Sequence, residues 1–166
     1  FPQRSVRTDR FKLIENLLPG ETHPDYDRTL AKLSKDSERR GGPDDLRDAI
    51  AGATAEVKGA YGRMRRPPRY ELYDLKADPF EFRDLADQPE HAETLAGLVR
   101  DLADWRKATS DPLLTPANLD RLTKEVRGVD SKSEGKGLTW GYPEYFFGRE
   151  PAAPTIAPTK KKKKSK

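Results

Sequence analysis

Two short segments of mixed polar and apolar residues open the chain and predict a β-hairpin. They are residues 4–8 and 11–15. Asp9 and Arg10 lie between them, although this pair is a weaker turn signal than Asp-Gly. A further short strand is predicted over residues 70–75, where the sequence YELYDL precedes a turn at residues 78–79.

Apolar residues three and four positions apart predict two helices between the hairpin and this strand. A polar helix is expected over about residues 25–39, with a thin apolar stripe that includes Leu33. Residues 43–64 have a more complete apolar face and predict one longer helix. Asp44 and Asp45 would then lie at its N-terminal end, where the helix dipole favours negative charge.

The second half of the chain predicts two more helices. One is expected to begin at residue 88 or 89, with Asp87 as its cap. Trp105 continues the apolar face of this helix, so we expect it to be a core residue. The other helix is short, starts at Pro116 and ends near Gly128.

Composition divides the chain into three parts. Residues 1–127 are the predicted folded subdomain. Residues 128–150 are a linker of Ser, Gly and charged residues followed by an aromatic segment, which we expect to dock onto the subdomain. Residues 151–166 are rich in Pro, Ala, Thr and Lys, so we expect a disordered tail that buries too little surface to fold.

The net charge of +4 comes from the C-terminus, because six of the last seven residues are Lys. Without those lysines the net charge is −2. With no nucleic-acid-binding motif in the sequence, this distribution argues against specific nucleic-acid binding. The lysines could still attract nucleic acid, anionic glycans or acidic membranes through charge alone, but a solvated tail is the preferred interpretation.

Three further features limit the class of protein. The chain has no Cys, which excludes disulfides and thiolate metal sites. No run of about 18 apolar residues is present, so no membrane span is predicted. The first residues, Phe1-Pro2-Gln3, include neither Met nor an apolar signal-peptide core, as expected of a processed chain or a fragment.

Two segments of the sequence resemble the sulfatases. Residues 1–17 are similar to the (Y/F)PxRxVRTxRYKLIxNL segment of heparan N-sulfatase-like proteins. Residues 71–86 are similar to the sulfatase segment ELYDLxxDPxExxNLA, with Asp84 in place of its Asn. Residues 105–112 resemble the W(x)3TxDP sequence that closes this region. The chain therefore resembles the C-terminal subdomain of a type I sulfatase of the N-sulfoglucosamine sulfohydrolase kind.

The resemblance implies an α+β fold, with a small antiparallel β-sheet and packed helices. It implies an N-terminal catalytic domain of the alkaline phosphatase superfamily as the partner. In the family that domain holds calcium and a formylglycine made from Cys or Ser. The parent enzyme is thereby implied to be a periplasmic or secreted hydrolase of sulfate esters or N-sulfamates on sulfated carbohydrates.

The catalytic signature of the family is absent from this sequence. Formylglycine formation requires Cys or Ser, then Pro or Ala two residues on, then Arg two further on. Ser110 has Pro112 in place but Leu114 where the Arg belongs. The Asp44-Asp45 pair follows Gly-Gly-Pro rather than a buried strand, so we interpret it as a helix start and not as a calcium ligand. No catalytic residue, no metal ligand and no cofactor is therefore predicted within this chain, which alone should be inactive.

The remaining candidates are two histidines and a cluster of cations. His23 and His91 are the only histidines, and neither is near a candidate Ser nucleophile in sequence, so solvent exposure is expected for both. The cations of the hairpin are a candidate substrate-rim or interdomain site, comprising Arg4, Arg7, Arg10 and Lys12.

Guanidinium groups could contact a sulfated polysaccharide, and pairing with acidic groups of the missing domain is at least as plausible. Alternation places Arg4 on the strand face of Val6, and Arg7 on the face of Ser5. Two functions thus stay open. The chain is either the C-terminal part of a sulfatase or a stand-alone, non-catalytic module that binds sulfated glycans or other polyanions.

Overall fold

A computed structural model describes residues 2–42, 45–128 and 140–148 of the chain. Strands β1 (Gln3–Arg7), β2 (Phe11–Asn16) and β3 (Tyr70–Asp74) form an antiparallel sheet in the order β1-β2-β3. The predicted hairpin, the third strand and the α+β fold class are confirmed. The predicted disordered tail lies outside the described residues.

Thr8 explains how the hairpin turns without a glycine. Its backbone N–H donates to the Phe11 carbonyl at 2.8 Å, and its hydroxyl accepts from the backbone N–H groups of Arg10 and Phe11 at 3.2 and 2.9 Å. A Thr hydroxyl can stabilise a turn in this way. The turn is therefore fixed by the residue before Asp9, and not by the Asp-Arg pair itself.

The described helices are α1 (Tyr26–Glu38), α2 (Leu46–Gly52), α3 (Ala55–Arg65), α4 (Ala92–Ala108), α5 (Pro116–Gly128) and α6 (Tyr142–Phe147). The first and fifth of these agree with prediction, but Leu33 of α1 is 41% exposed, whereas Leu30 and Ser34 are buried. Within the described parts of the chain, no helix is both long and apolar enough to cross a membrane.

The single helix predicted over residues 43–64 is wrong. Ala53 and Thr54 have extended backbones between α2 and α3. The Thr54 hydroxyl accepts from the Val57 backbone N–H, so Thr54 is the N-cap of a new helix. Apolar spacing continues across this break, and for that reason periodicity alone did not reveal it.

The main core lies between one face of the sheet and α4. Register places Val6, Leu13 and Leu72 in one row across the three strands. Leu13 and Leu72 are fully buried, and they cluster with Leu98 and Leu102 of α4 and with Leu85. Because side chains alternate along each strand, the residues next to this row in sequence lie on the opposite face of the sheet.

Both ends of α4 differ from expectation. A short 3-10 turn, Pro89–His91, precedes it, and Gln88 rather than Asp87 occupies the N-cap without a side-chain cap bond. Trp105 is 53% exposed, so its assignment to the core is wrong. In this last turn the buried side chain is Arg106, four residues after Leu102 on the helix face.

The chain forms two compact units, Phe1–Trp105 and Arg106–Lys166. In the second unit the predicted docking of the aromatic segment occurs on α5. Glu125 accepts hydrogen bonds from the Gly141 backbone N–H and from the Tyr145 hydroxyl, the latter at 2.7 Å. The Arg121 guanidinium lies 4.2 Å from the centre of the Tyr145 ring. The predicted subdomain limit at residue 127 stays a prediction.

Candidate functional site

The four hairpin cations do not converge on one site. The burial of β1 alternates as predicted, with Arg4 and Val6 half-buried on one face and Ser5 and Arg7 exposed on the other. Arg10 lies in the turn, and Lys12 lies opposite Arg7 in register. The candidate cluster therefore divides into separate contacts with different partners.

Arg10 pairs with the last residue of β3. Its Nε donates to Asp74 Oδ2 at 2.9 Å, and its Nη2 lies 2.8 Å from the same oxygen. This hydrogen bond holds the pKa of Asp74 below its ordinary value, assisted by hydrogen bonds from the backbone N–H groups of Ala77 and Lys76. The same contact raises the pKa of Arg10. Arg10 thus joins the hairpin turn to the end of β3.

Lys12 pairs with the turn that follows β3. Its Nζ contacts both carboxylate oxygens of Glu81, at 2.8 and 2.7 Å. Glu81 has a φ of 60°, in the left-handed region that costs energy for a residue with a side chain. The ion pair therefore fixes a backbone conformation that Glu would not adopt readily on its own.

Arg4 and Arg7 lie on the outer strand of the hairpin. Arg4 Nη1 donates to the Gln3 carbonyl at 2.9 Å. Arg7 is exposed, and in the described part of the chain its side chain makes no assigned hydrogen bond or ion pair. A role for these arginines in glycan contact stays a prediction.

A buried polar network, which the sequence did not suggest, occupies the sheet face opposite the core. Asn16 at the end of β2 is 2% exposed. Its Oδ1 accepts from Gln3 Nε2 at 2.6 Å, and its Nδ2 donates at 2.8 Å to both the Pro68 carbonyl and Glu71 Oε1. Asn16 thereby connects all three strands with the segment that leads into β3.

Glu71 extends this network towards α3. Its Oε2 accepts from the Tyr73 hydroxyl and lies 3.7 Å from Arg63 Nε. Burial and the hydrogen bond to Glu71 raise the pKa of Tyr73 well above its ordinary value. The Tyr73 hydroxyl acts here as a hydrogen-bond donor to Glu71.

Arg63 connects α3 to the segment after β3. Its Nη2 donates to the Phe82 carbonyl at 2.6 Å, and its Nε lies 3.8 Å from Asp84 Oδ2. The other carboxylate oxygen of Asp84 accepts from the backbone N–H groups of Leu72 and Ala86, at 2.9 and 3.0 Å. Asp84 thus caps the free edge of β3 and does not start a helix. Its Oδ1 serves only as an acceptor, a role that the Oδ1 of the Asn in the resembling sulfatase segment could also fill.

A cavity of about 310 Å³ opens beside this network. Its polar lining comes from Gln3, His23, Arg63, Glu71, Tyr73 and Glu81. The charged members of this set are paired with one another or with neighbours, as Arg63 with Glu71 and Glu81 with Lys12. The geometry is that of a structural network and not of an activated nucleophile.

Both histidines were predicted to be solvent-exposed, but both are half-buried. His23 Nδ1 accepts from the Asp25 backbone N–H at 3.1 Å, and burial lowers the pKa of His23. The His91 ring packs edge-on against Phe11, with 6.0 Å between ring centres. Both histidines therefore have local packing roles.

Asp45, the described member of the Asp44-Asp45 pair, lies at the start of α2. Asp45 caps α2 by accepting from the Arg47 backbone N–H at 2.8 Å, which confirms the helix-start interpretation for this residue, while Asp44 lies outside the described residues. Among the described residues, no three His, Asp or Glu side chains are grouped to hold a metal ion. The described residues thus do not fit the calcium that the resemblance implies for the parent enzyme.

The closing segment of the resemblance contains a buried ion pair within the second unit. Arg106 Nε donates to Asp111 Oδ2 at 2.8 Å, and the two side chains are 8% and 3% exposed. Arg106 Nη2 also donates to the Leu113 carbonyl at 3.2 Å, and Asp111 Oδ1 accepts from the Leu113 backbone N–H at 3.1 Å. This pair closes the turn that follows α4.

The charged residues of the first two resembling segments are therefore complementary. Arg10 and Lys12 come from the first segment, and their partners Asp74 and Glu81 come from the second. Sequence alternation alone could not reveal these pairs, since each joins residues more than 60 positions apart. The two segments are one structural unit.

No family model matches the chain. Three curated proteins do, two of them named as sulfatases and one as a sulphohydrolase. Two are ulvan-active sulfatases of Formosa agariphila, 31% and 30% identical over 116 and 125 residues. The third is the N-sulphoglucosamine sulphohydrolase of Homo sapiens, 33% identical over 116 residues.

These matches cover 68–70% of the chain, but the chain spans only 18–21% of the length of the three relatives. The chain is therefore related to the sulfatases and corresponds to about a fifth of such a protein. The resemblance predicted from residues 1–17 and 71–86 is confirmed.

Proposed function

We propose that this chain is the C-terminal subdomain of a sulfatase that hydrolyses sulfate esters or N-sulfamates of sulfated carbohydrates. In this proposal the subdomain packs against an N-terminal catalytic domain and contributes no reacting group. The whole protein would be periplasmic or secreted, as the family resemblance suggests.

The complementary pairing of Arg10 with Asp74 and of Lys12 with Glu81 carries the proposal. These four residues belong to the segments that resemble the sulfatases, and they form ion pairs with one another. Cations that would otherwise suit a sulfate group are thus assigned to holding the turn and the sheet together. Such use is what a structural subdomain requires.

Catalysis would belong to the partner domain. The sequence has no Cys and no Ser in the formylglycine pattern. The described residues offer no group of three metal ligands. We infer that the N-terminal domain of the proposed protein holds the formylglycine and the calcium, and no step of the reaction is assigned to the residues of this chain.

Activity of the separated and complete proteins tests this proposal. The purified 166-residue chain should not hydrolyse an aryl sulfate or a sulfamate with any added metal ion. The product of the complete reading frame should do so, and upstream sequence encoding CxPSR or SxPSR should be present. Turnover by the chain alone, abolished by a substitution within it, would overturn the proposal.

The alternative function is that of a stand-alone module that binds sulfated glycans or other polyanions. Exposed Arg7 on the outer strand, together with the lysines at the C-terminus, supports this candidate. This alternative function would apply if the complete reading frame encoded no catalytic domain.

A further inference from the structure

A large aromatic side chain is displayed on the turn after β3. Phe80 is 76% exposed, although its ring lies 6.2 Å from that of Phe82. It occupies the turn of residues 78–83, where Asp78 Oδ2 accepts from the Arg83 backbone N–H at 2.7 Å. An exposed Phe is not unusual by itself, so its supports are informative.

Three side-chain contacts hold the turn that carries Phe80. Lys12 binds both oxygens of Glu81, the residue with positive φ. Arg63 of α3 donates to the Phe82 carbonyl at 2.6 Å. Arg83 pairs with Glu56 of α3 through Nη2 and Oε1 at 2.8 Å. Strand β2 and helix α3 thus both hold this turn in place.

These contacts pre-organise Phe80 for a partner surface. A left-handed Glu is tolerated only where surrounding contacts hold it, and here they leave the aromatic ring of the preceding residue in water. Preorganisation lowers the entropy lost on association, and buried aromatic anchors dominate protein interfaces. Two ion pairs beside Phe80, Lys12–Glu81 and Arg83–Glu56, are already formed, so covering them would not leave these four charges unpaired.

We propose that Phe80 anchors this subdomain to the catalytic domain of the same sulfatase, by inserting into an apolar pocket of that domain. The inference rests on the proposed function. The relatives are about five times as long as the segment that they share with this chain, which supplies a partner of the required size. The proposal therefore commits to the catalytic domain as the occupant.

Cysteine labelling measures the coverage of Phe80 directly, because the chain has no native Cys. The Phe80→Cys and Leu33→Cys variants are made in the 166-residue chain and in the product of the complete reading frame. A maleimide is added, and labelling at each position is quantified by peptide mass spectrometry. Leu33 is the matched control, because it is an apolar residue of the same unit and is 41% exposed on α1.

The inference predicts that position 80 is labelled rapidly in the isolated chain and much more slowly in the complete protein. The Phe80→Ala variant should leave the melting temperature of the isolated chain unchanged and lower that of the complete protein by roughly 2–8 °C. Position 33 should be labelled in the isolated chain at a rate like that of position 80, which shows that both sites are open there.

Two other outcomes would overturn the inference, and they are distinguishable. If the complete protein has sulfatase activity but position 80 is labelled as fast as in the isolated chain, Phe80 is not the anchor and the proposed function stands. If the complete protein has no sulfatase activity, the proposed function fails and this inference fails with it.

Discussion

Replacing Asp111 with Ala should strongly destabilise the chain. The substitution removes the carboxylate that pairs with Arg106 at 2.8 Å, and both side chains are almost fully buried. It also removes the acceptor of the Leu113 backbone N–H. Removing one partner of a buried ion pair typically costs about 3–5 kcal/mol, because the other charge stays buried. Domains are stable by only about 5–15 kcal/mol, so the loss should be large in proportion.

Urea unfolding followed by tryptophan fluorescence measures this loss, since the chain contains two Trp residues. Asp111→Asn should lie between wild type and Asp111→Ala, because its amide oxygen can still accept from the Leu113 N–H. Asp120→Ala, at an exposed position on α5, is the matched control and should change the free energy of unfolding by less than about 0.5 kcal/mol. If Asp111→Ala costs no more than this control, the buried pair does not stabilise the fold as argued.

Two further predictions concern charge. Since Arg10 holds the pKa of Asp74 below its ordinary value, this pair contributes its full stability above about pH 4 and loses it as the pH falls through the folded-state pKa. The stability difference between wild type and Arg10→Gln should therefore be present at pH 6 and shrink below pH 4, and a difference that does not change with pH would contradict the assignment. Deleting residues 151–166 should leave the melting temperature unchanged and remove most salt-sensitive binding to heparin. Tight binding that survives the deletion and is lost in Arg7→Gln would instead favour the glycan-binding function.

Sequence patterns predicted the local elements well. They failed where one spacing of apolar residues was compatible with two different structures. Short strand-like segments next to turn signals located the hairpin and β3, whose row of Val6, Leu13 and Leu72 packs on α4. The apolar spacing of residues 43–64 is equally compatible with one helix or two, and the Thr54 cap decided in favour of two. Trp105 fits the apolar face of α4, yet in the last turn the buried position is that of Arg106.

The candidate site was predictable only in part. The cations of the hairpin were visible in the sequence, but their partners were not, because Arg10–Asp74 and Lys12–Glu81 depend on the register of β2 against β3. The Asn16–Glu71–Tyr73 network went unnoticed, since polar residues in a strand usually indicate a solvated face. One signal was available. Glu71 and Tyr73 alternate with Tyr70 and Leu72 along β3. If both faces of this strand are covered, the polar groups of Glu71 and Tyr73 are buried on one of them.

The order of the strands also shapes how the polypeptide folds as it leaves the ribosome. The hairpin pairs residues that are close in sequence, and it can form within about 10 μs. Strand β3 pairs with β2 at sequence separations of 55 to 63 positions, and α4 is synthesised later still. At typical synthesis rates, a time on the order of 10 s therefore separates the synthesis of Val6 and Leu13 from that of α4, which covers them. During that interval the nascent hairpin presents an apolar face and an unpaired edge, and both features favour aggregation.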